Sequence, residues 1–467
     1  MTGSGLWNFE MTRTIQTSLR GTLIAAGLIF VFAPARAEED APVKKASTAD
    51  YSGSLRGTYD FRGQGPYSDH DVYGYWILSG RNLADKHVDF HTSGRLHSDL
   101  DGAGESYADD PFISLEDTDR YGGNRLLQFY VDLHDQKKKA LLRAGRQYVD
   151  IADYIQMDGL QAMLFENQQL GGRVFAGQPV SYYSSIVGDL FGGASLVGKP
   201  WNGNRSRVTY ARYYDDSVGE SDDHFFFDVR QQVAETVRAR AYLSVMNDDV
   251  RMGGGDLYYM SLSERVFDAV LGARRWGEYD ASTRVYSPLV QTLGDQEPYT
   301  TAYGRFTSQL LDWLYLSPGA YWRYPDESNA TNRGYERYDM SFIFEPYKSL
   351  NATIALEYWD VEESDRFMGV SGDIRYKQGR LWEVSAGAAY VDYTYFQFSD
   401  FSVIAEDVTV DLDGTRVERS PFAFTYFLRG KWNISKHTAL RVSGELEDDS
   451  DEEDLGYRVR ASFEVRL

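Results

Sequence analysis

The chain has 467 residues, a formal net charge of −22, no cysteine and 15% aromatic residues, with 35 Tyr and 25 Phe. Without a thiol there is no disulfide, no thiolate metal site and no covalent haem attachment, and the acidic balance argues against nucleic acid as a partner. The length suits two or three soluble domains or one large barrel, and the high Tyr count suits strands.

The chain opens with Arg13 and Arg20 ahead of the apolar stretch LIAAGLIFVFAPARA, which ends on Ala35-Arg36-Ala37. A basic start, a short apolar core and an A-x-A site make a secretory signal peptide. We expect residues 1–37 to be that peptide, 38–50 a periplasmic N-terminal segment, and 51–467 one membrane-spanning domain. The apolar run Leu23–Phe32 is too short to span a bilayer, which takes about 20 residues in a helix.

Next comes YSGSLRGTYDFR, with Tyr51, Leu55, Tyr59 and Phe61 on one face and Ser54, Arg56, Asp60 and Arg62 on the other. This period of two marks a strand with one apolar and one wet face. The pattern returns in HVDFHTSGRLHSD, where Asp89, Ser93, Arg95 and Asp99 alternate with Val88, Phe90, Gly94 and Leu96. It returns again in RLLQFYVDLHD, VRARAYLSV, RYDMSFIFE, LNATIALEY, PFAFTYFLRGKW and TALRVSGEL. The final segment, YRVRASFEVRL, sets Tyr457, Val459, Ala461, Phe463, Val465 and Leu467 against Arg458, Arg460, Ser462, Glu464 and Arg466. Residues 175–293 alternate less clearly, and Gly253–Gly255 reads as a bulge.

Connections alternate between short and long. Turns at DQKKKA, Glu345–Ser349, Lys377–Arg380 and Asn433–Lys436 take turns with loops at Leu100–Gly123, Pro325–Arg333, Glu362–Asp365 and Tyr395–Arg419. A secreted sandwich or solenoid also alternates, but its apolar face is rich in Leu, Ile and Val and is buried. Here the apolar face is Tyr, Phe, Gly and Ala, and the polar face mixes Arg with Asp and Glu. The fold expected is all-β: a single antiparallel transmembrane barrel of about 20 strands (18–22), with short periplasmic turns and long extracellular loops. In lipid the sheet must close, so the last strand is expected to pair with the first.

Lumen-lining candidates follow from the polar parity: Arg56, Arg62, Asp89, His91, Arg95, Arg143, Arg238, Arg240, Arg429 and Arg441. Such residues either filter solutes by charge or form cross-strand ion pairs in the wall. His87, Asp89, His91 and His97 fall on one expected strand face, but His87 and His91 are about 13 Å apart along a strand, too far for one metal ion. Glu445–Asp454 holds eight carboxylates in ten residues and reads as a solvated loop, which implies a modest preference for cations at the mouth. Ser98 and His97 point to opposite faces and form no dyad. With no H-E-x-x-H, G-x-S-x-G or phosphate loop, we expect no enzyme and no cofactor.

Two segments carry a resemblance. The last strand resembles the C-terminal assembly signal of Gram-negative outer-membrane proteins, though it ends in Leu467 where that signal usually has Phe. FYVDLHDQKKKALLRAGRQYVD is similar to a strand–turn–strand of large porins, including the alginate-export type, through Phe129, Asp132, Leu142, Arg143, Gly145, Arg146 and Gln147. The resemblance implies an outer-membrane location, assembly by the barrel-assembly machinery, and contact with outer-membrane lipid and lipopolysaccharide. The expected function is a porin for small hydrophilic solutes. Alternatives are a barrel sheath around a multihaem cytochrome partner that carries electrons, and a polysaccharide export channel.

Overall fold

The computed structural model describes residues 49–101, 123–151, 154–164, 169–181, 188–262, 267–278, 297–328, 332–362, 365–398, 416–450 and 454–467. The expected signal peptide and most of the segment 38–50 lie outside them. The first strands are β1 (Asp50–Gln64), β2 (Tyr67–Asn82), β3 (Val88–Asp99), β4 (Arg125–His134), β5 (Ala140–Asp150) and β6 (Tyr154–Leu164). Then come β7 (Leu170–Pro179), β8 (Leu190–Gly198), β9 (Asn204–Asp215), β10 (Glu220–Gln232), β11 (Val237–Met246) and β12 (Asp249–Met260). They are followed by β13 (Phe267–Trp276), β14 (Tyr299–Leu311), β15 (Leu314–Pro325), β16 (Tyr335–Tyr347), β17 (Leu350–Val361) and β18 (Arg366–Gln378). The last are β19 (Trp382–Phe398), β20 (Arg416–Arg419), β21 (Phe422–Asn433), β22 (Thr438–Asp449) and β23 (Gly456–Arg466).

Each strand pairs antiparallel with the next, except that β19 pairs directly with β21 and only its outer end with the short β20. β23 then returns to β1, from Ser54↔Arg466 to Gln64↔Gly456. The result is a closed 22-stranded ring, within the expected range. Closure gives every wall strand a partner on both sides, so the wall itself has no open edge among the described residues.

Connections sort by end. At the end that carries Asp50 and Leu467, every connection has six residues or fewer. The opposite end carries 100–124, 277–298 and 399–421. Most of those three stretches lies outside the described residues. Tyr395–Phe398 and Arg416–Arg419 are strands rather than loop, so the Tyr395–Arg419 connection rises from a paired base.

Local chemistry explains the tight turns. Asn247 and Asp248, both at positive φ, close a two-residue hairpin of the type whose twist matches the strands. In DQKKKA the Asp135 carboxylate accepts backbone N–H groups of Lys137, Lys139 and Ala140. These bonds, the one from Ala140 foremost, hold its pKa below the ordinary carboxylate range.

Three expectations need correction. The bulge in β12 lies at Arg251, where Ser244↔Met252 is followed by Val245↔Val250, while Gly253–Gly255 keep regular register. His87 sits in the turn before β3, bonded to the His134 carbonyl, and not on the strand. The acidic run is only partly loop: Glu445, Glu447, Asp448 and Asp449 belong to β22.

The closing seam carries a specific lock. Asp60, 1% exposed, accepts a two-pronged contact from Arg458 at 2.8 and 2.6 Å and another hydrogen bond from Arg460 at 2.5 Å. Thr58 donates to Ser462 across the same pair of strands. Both guanidinium groups are more than a third exposed, so solvent screens part of the attraction. Asp60→Ala should therefore cost about 1–3 kcal/mol. We expect it to lower the temperature at which the folded band converts to the unfolded one in gel-shift assays. An unchanged transition would mean that the seam is held by backbone pairing alone.

Candidate functional site

The register carries one side-chain parity around the whole ring. On β17, Ile354, Leu356 and Tyr358 are exposed, while Thr353, Ala355 and Glu357 between them are half-buried. On β10, Phe225 and Phe227 are exposed, while Asp222, His224 and Asp228 are buried. This inverts the pattern of a water-soluble protein, where polar groups are seldom buried and large apolar ones rarely cover a surface.

The buried parity is the concave one. Arg207 on β9 reaches Asp150 at the end of β5, with a hydrogen bond of 2.5 Å, and also the Ile151 carbonyl. Strands that far apart in the ring can touch only across its inside. On the convex face, Trp313, Phe344, Tyr376, Trp382 and Trp432 gather near the short-turn end, and Trp322, Tyr338 and Phe422 near the other. Two aromatic girdles around an apolar band match a bilayer and its two interfaces. The fold is that of an outer-membrane β-barrel.

No family model matches the chain, and no curated protein matches it. Among solved structures, it is similar to OccK3 (OpdO) of Pseudomonas aeruginosa, with 12% identity and a TM-score of 0.39 over 90% of this chain and 96% of that one. OccK9 (OpdG) of the same organism gives 11% identity and a TM-score of 0.42 over 90% and 99%.

All ten candidate residues share the concave parity, spread over six strands and not gathered into one constellation. Several are wall ion pairs. Arg143 grips Asp132 with two hydrogen bonds of 2.7 and 2.8 Å and lies 3.8 Å from the Tyr130 ring centre. Arg240 bonds Asp228, and Arg441 pairs with Glu464. Arg62 lies 3.7–3.9 Å from Asp60, Asp69 and Asp71. Asp89 is engaged by Lys138 and His134, His91 by Ser79, and Arg95 by the Gly123 carbonyl.

Five of the ten line recesses, two of them also ion-paired. Arg56, Arg429 and Arg441 share a hollow of about 570 Å³ with Arg375, Lys431 and Glu383. Arg56 stacks on Tyr75 at 4.3 Å and Arg429 on Phe427 at 4.5 Å. Arg238 and Arg240 line a second hollow of about 630 Å³ with Arg205, Arg230 and Arg305. Both lie toward the short-turn end. At the opposite end the concave parity is acidic on β2, β3 and β22: Asp69 and Asp71, Asp99, and Glu445, Glu447 and Asp449.

Sequence reading missed an apolar cluster on the concave face. Val149, Met157, Phe175, Phe191, Tyr213 and Met246 are nearly inaccessible and pack together near the long-loop end. Its signal was present in YIQMDGLQAML, where Ile155 and Met157 are apolar on one parity and Leu160, Ala162 and Leu164 on the other. Near the long-loop end this strand is therefore apolar on its concave side. Arg146, part of the G-R-Q resemblance, lies instead on the convex parity, paired with Asp158 at 2.6 Å.

The two faces predict opposite fates for one charge placed at neighbouring positions. Leu356→Arg puts a guanidinium into the apolar band and should cost about 2–4 kcal/mol, with poor assembly in native membranes. Ala355→Arg adds the same group to the wet face and should assemble normally. Equal yields of folded protein would contradict the assignment of faces.

Proposed function

We propose that the chain is an outer-membrane channel through which small hydrophilic solutes diffuse, with a preference for anions set in the half of the lumen nearest the short turns. The observation that carries this reading is the closed ring with an apolar convex face and a concave one that is polar on most of its strands. A 22-stranded ring is far wider than side chains can fill, so its polar lining favours a water-filled passage.

The sign of the preference rests on which charges are compensated. Asp60, Asp132 and Asp228 each hold one or more Arg side chains. Arg375, Arg429 and Lys431 form no ion pair with any described residue, and they share one hollow. Glu383, opposite Lys431, and Asp373 line the same hollow and offset part of their field, and with Arg56 the hollow keeps an excess of positive charge that raises the local concentration of anions there. This reverses the sign that the acidic run alone implies, because part of that run lies within the wall, opposite basic strands.

Reconstituted alone into a planar bilayer, the protein should conduct steadily. Under a KCl gradient at low salt the reversal potential should show mild anion preference. Replacing Arg375, Arg429 and Lys431 together with Gln should remove most of that preference. The difference should fade near 1 M salt, where the Debye length is about 3 Å. A barrel that conducts no ions would overturn the channel reading, and an unchanged reversal potential in the triple variant would overturn the assignment of its selectivity.

A further inference from the structure

Five aromatic rings on the concave parity form an unbroken row across five consecutive strands. Tyr303 on β14 lies 6.5 Å from Tyr321 on β15, and Tyr321 lies 5.6 Å from Tyr335 on β16. Tyr335 lies 4.9 Å from Trp359 on β17, and Trp359 lies 5.9 Å from Phe367 on β18. The first three contacts are near-parallel, at 17–24° between planes, and the last is edge-on at 63°. At these separations the rings overlap only in part, and all five remain half-buried, so ring surface stays open along the row. Four strand spacings make the row about 19 Å long. It climbs from within the wall on β14 to the first residues of β16 and β18, at the long-loop end.

The charged groups that border it are already ion-paired or hydrogen-bonded. Arg337 lies 2.8 Å from the Glu357 carboxylate, which also accepts the Trp359 indole N–H at 2.6 Å. Arg305 pairs with Asp339 at 2.6 Å, and Arg323 donates to the Asn332 side chain and the Arg333 carbonyl. The row therefore combines open aromatic surface with fixed donors and acceptors, and little uncompensated charge. Apart from Arg323, whose bonds go to neutral groups, an ion finds little to pair with in such a place. A planar apolar solute would leave the polar border unsatisfied. A sugar meets both demands, with C–H faces for the rings and hydroxyl edges for the carboxylates and guanidinium groups. The row is a strip and not a pit, which suits a chain of several sugar units that moves along it.

We propose that this row is a docking track for neutral, linear oligosaccharides entering from the long-loop side. The proposal rests on the channel reading and names a solute class for it. The test is single-channel current recorded with maltohexaose, cellohexaose and chitohexaose added in turn at the long-loop end. At least one should interrupt the current. Trp359→Ala and Tyr321→Ala should each shorten those interruptions roughly tenfold, while Tyr321→Phe, which keeps the ring, should leave them near normal. Conductance without sugar should be retained in all three variants, which shows that each has folded and still conducts. Absence of conductance in the parent protein would sink the channel reading itself. Conductance with no interruption by any of the three sugars, or interruptions indifferent to Trp359→Ala and Tyr321→Ala, would overturn the track and leave the channel standing. So would interruptions produced by benzoate and not by the sugars, because they would make the row a site for planar aromatic anions.

Discussion

Everything in this barrel depends on the pairing of β23 with β1. In a bilayer each unpaired backbone N–H or C=O costs several kcal/mol, and an open 22-stranded sheet would expose two whole edges of them. The register from Ser54↔Arg466 to Gln64↔Gly456 removes both edges at once. It also fixes which parity points inward, because slipping the seam by one residue would turn the side chains of one strand to the wrong face. Asp60, held by Arg458 and Arg460, makes the correct register chemically distinct from a slipped one.

Once the ring is closed and its parity set, the two faces meet different solvents, and composition follows. The convex face carries apolar side chains with aromatic girdles, and the concave face carries charge, arranged so that most of it cancels locally. What remains uncancelled has a direction. Acidic groups concentrate on β2, β3 and β22 toward the long loops, and unpaired Arg and Lys side chains on β18 and β21 toward the short turns. The concave face departs from this rule in one place, the buried apolar cluster of β5–β11 near the long-loop end.

Much of this was legible in the sequence, for a physical reason. A strand between water and lipid must alternate, so Arg56, Arg143 and Arg441 could be placed on a face from their parity alone. The alternation of short and long connections was equally visible, because a turn such as DQKKKA carries its own cap in Asp135. Other features were hidden. Strand number was uncertain because strand lengths vary, from Leu190–Gly198 to Trp382–Phe398. The cluster around Met157 and Phe175 was signalled only in YIQMDGLQAML, where apolar residues fall on both parities and alternation does not say which of them face inward. The row from Tyr303 to Phe367 exists only through register, since its members come from five strands at unrelated spacings in the chain.

The central claim is that one parity faces water inside the ring and the other faces lipid. The chain has no cysteine, so any introduced thiol is the only one present. Single replacements along β17, Thr353→Cys, Ile354→Cys, Ala355→Cys, Leu356→Cys, Glu357→Cys and Tyr358→Cys, can be exposed in native membranes to a small, water-soluble, charged maleimide. The account predicts rapid labelling at 353, 355 and 357 and almost none at 354, 356 and 358. Equal labelling along the strand, or the opposite alternation, would contradict it.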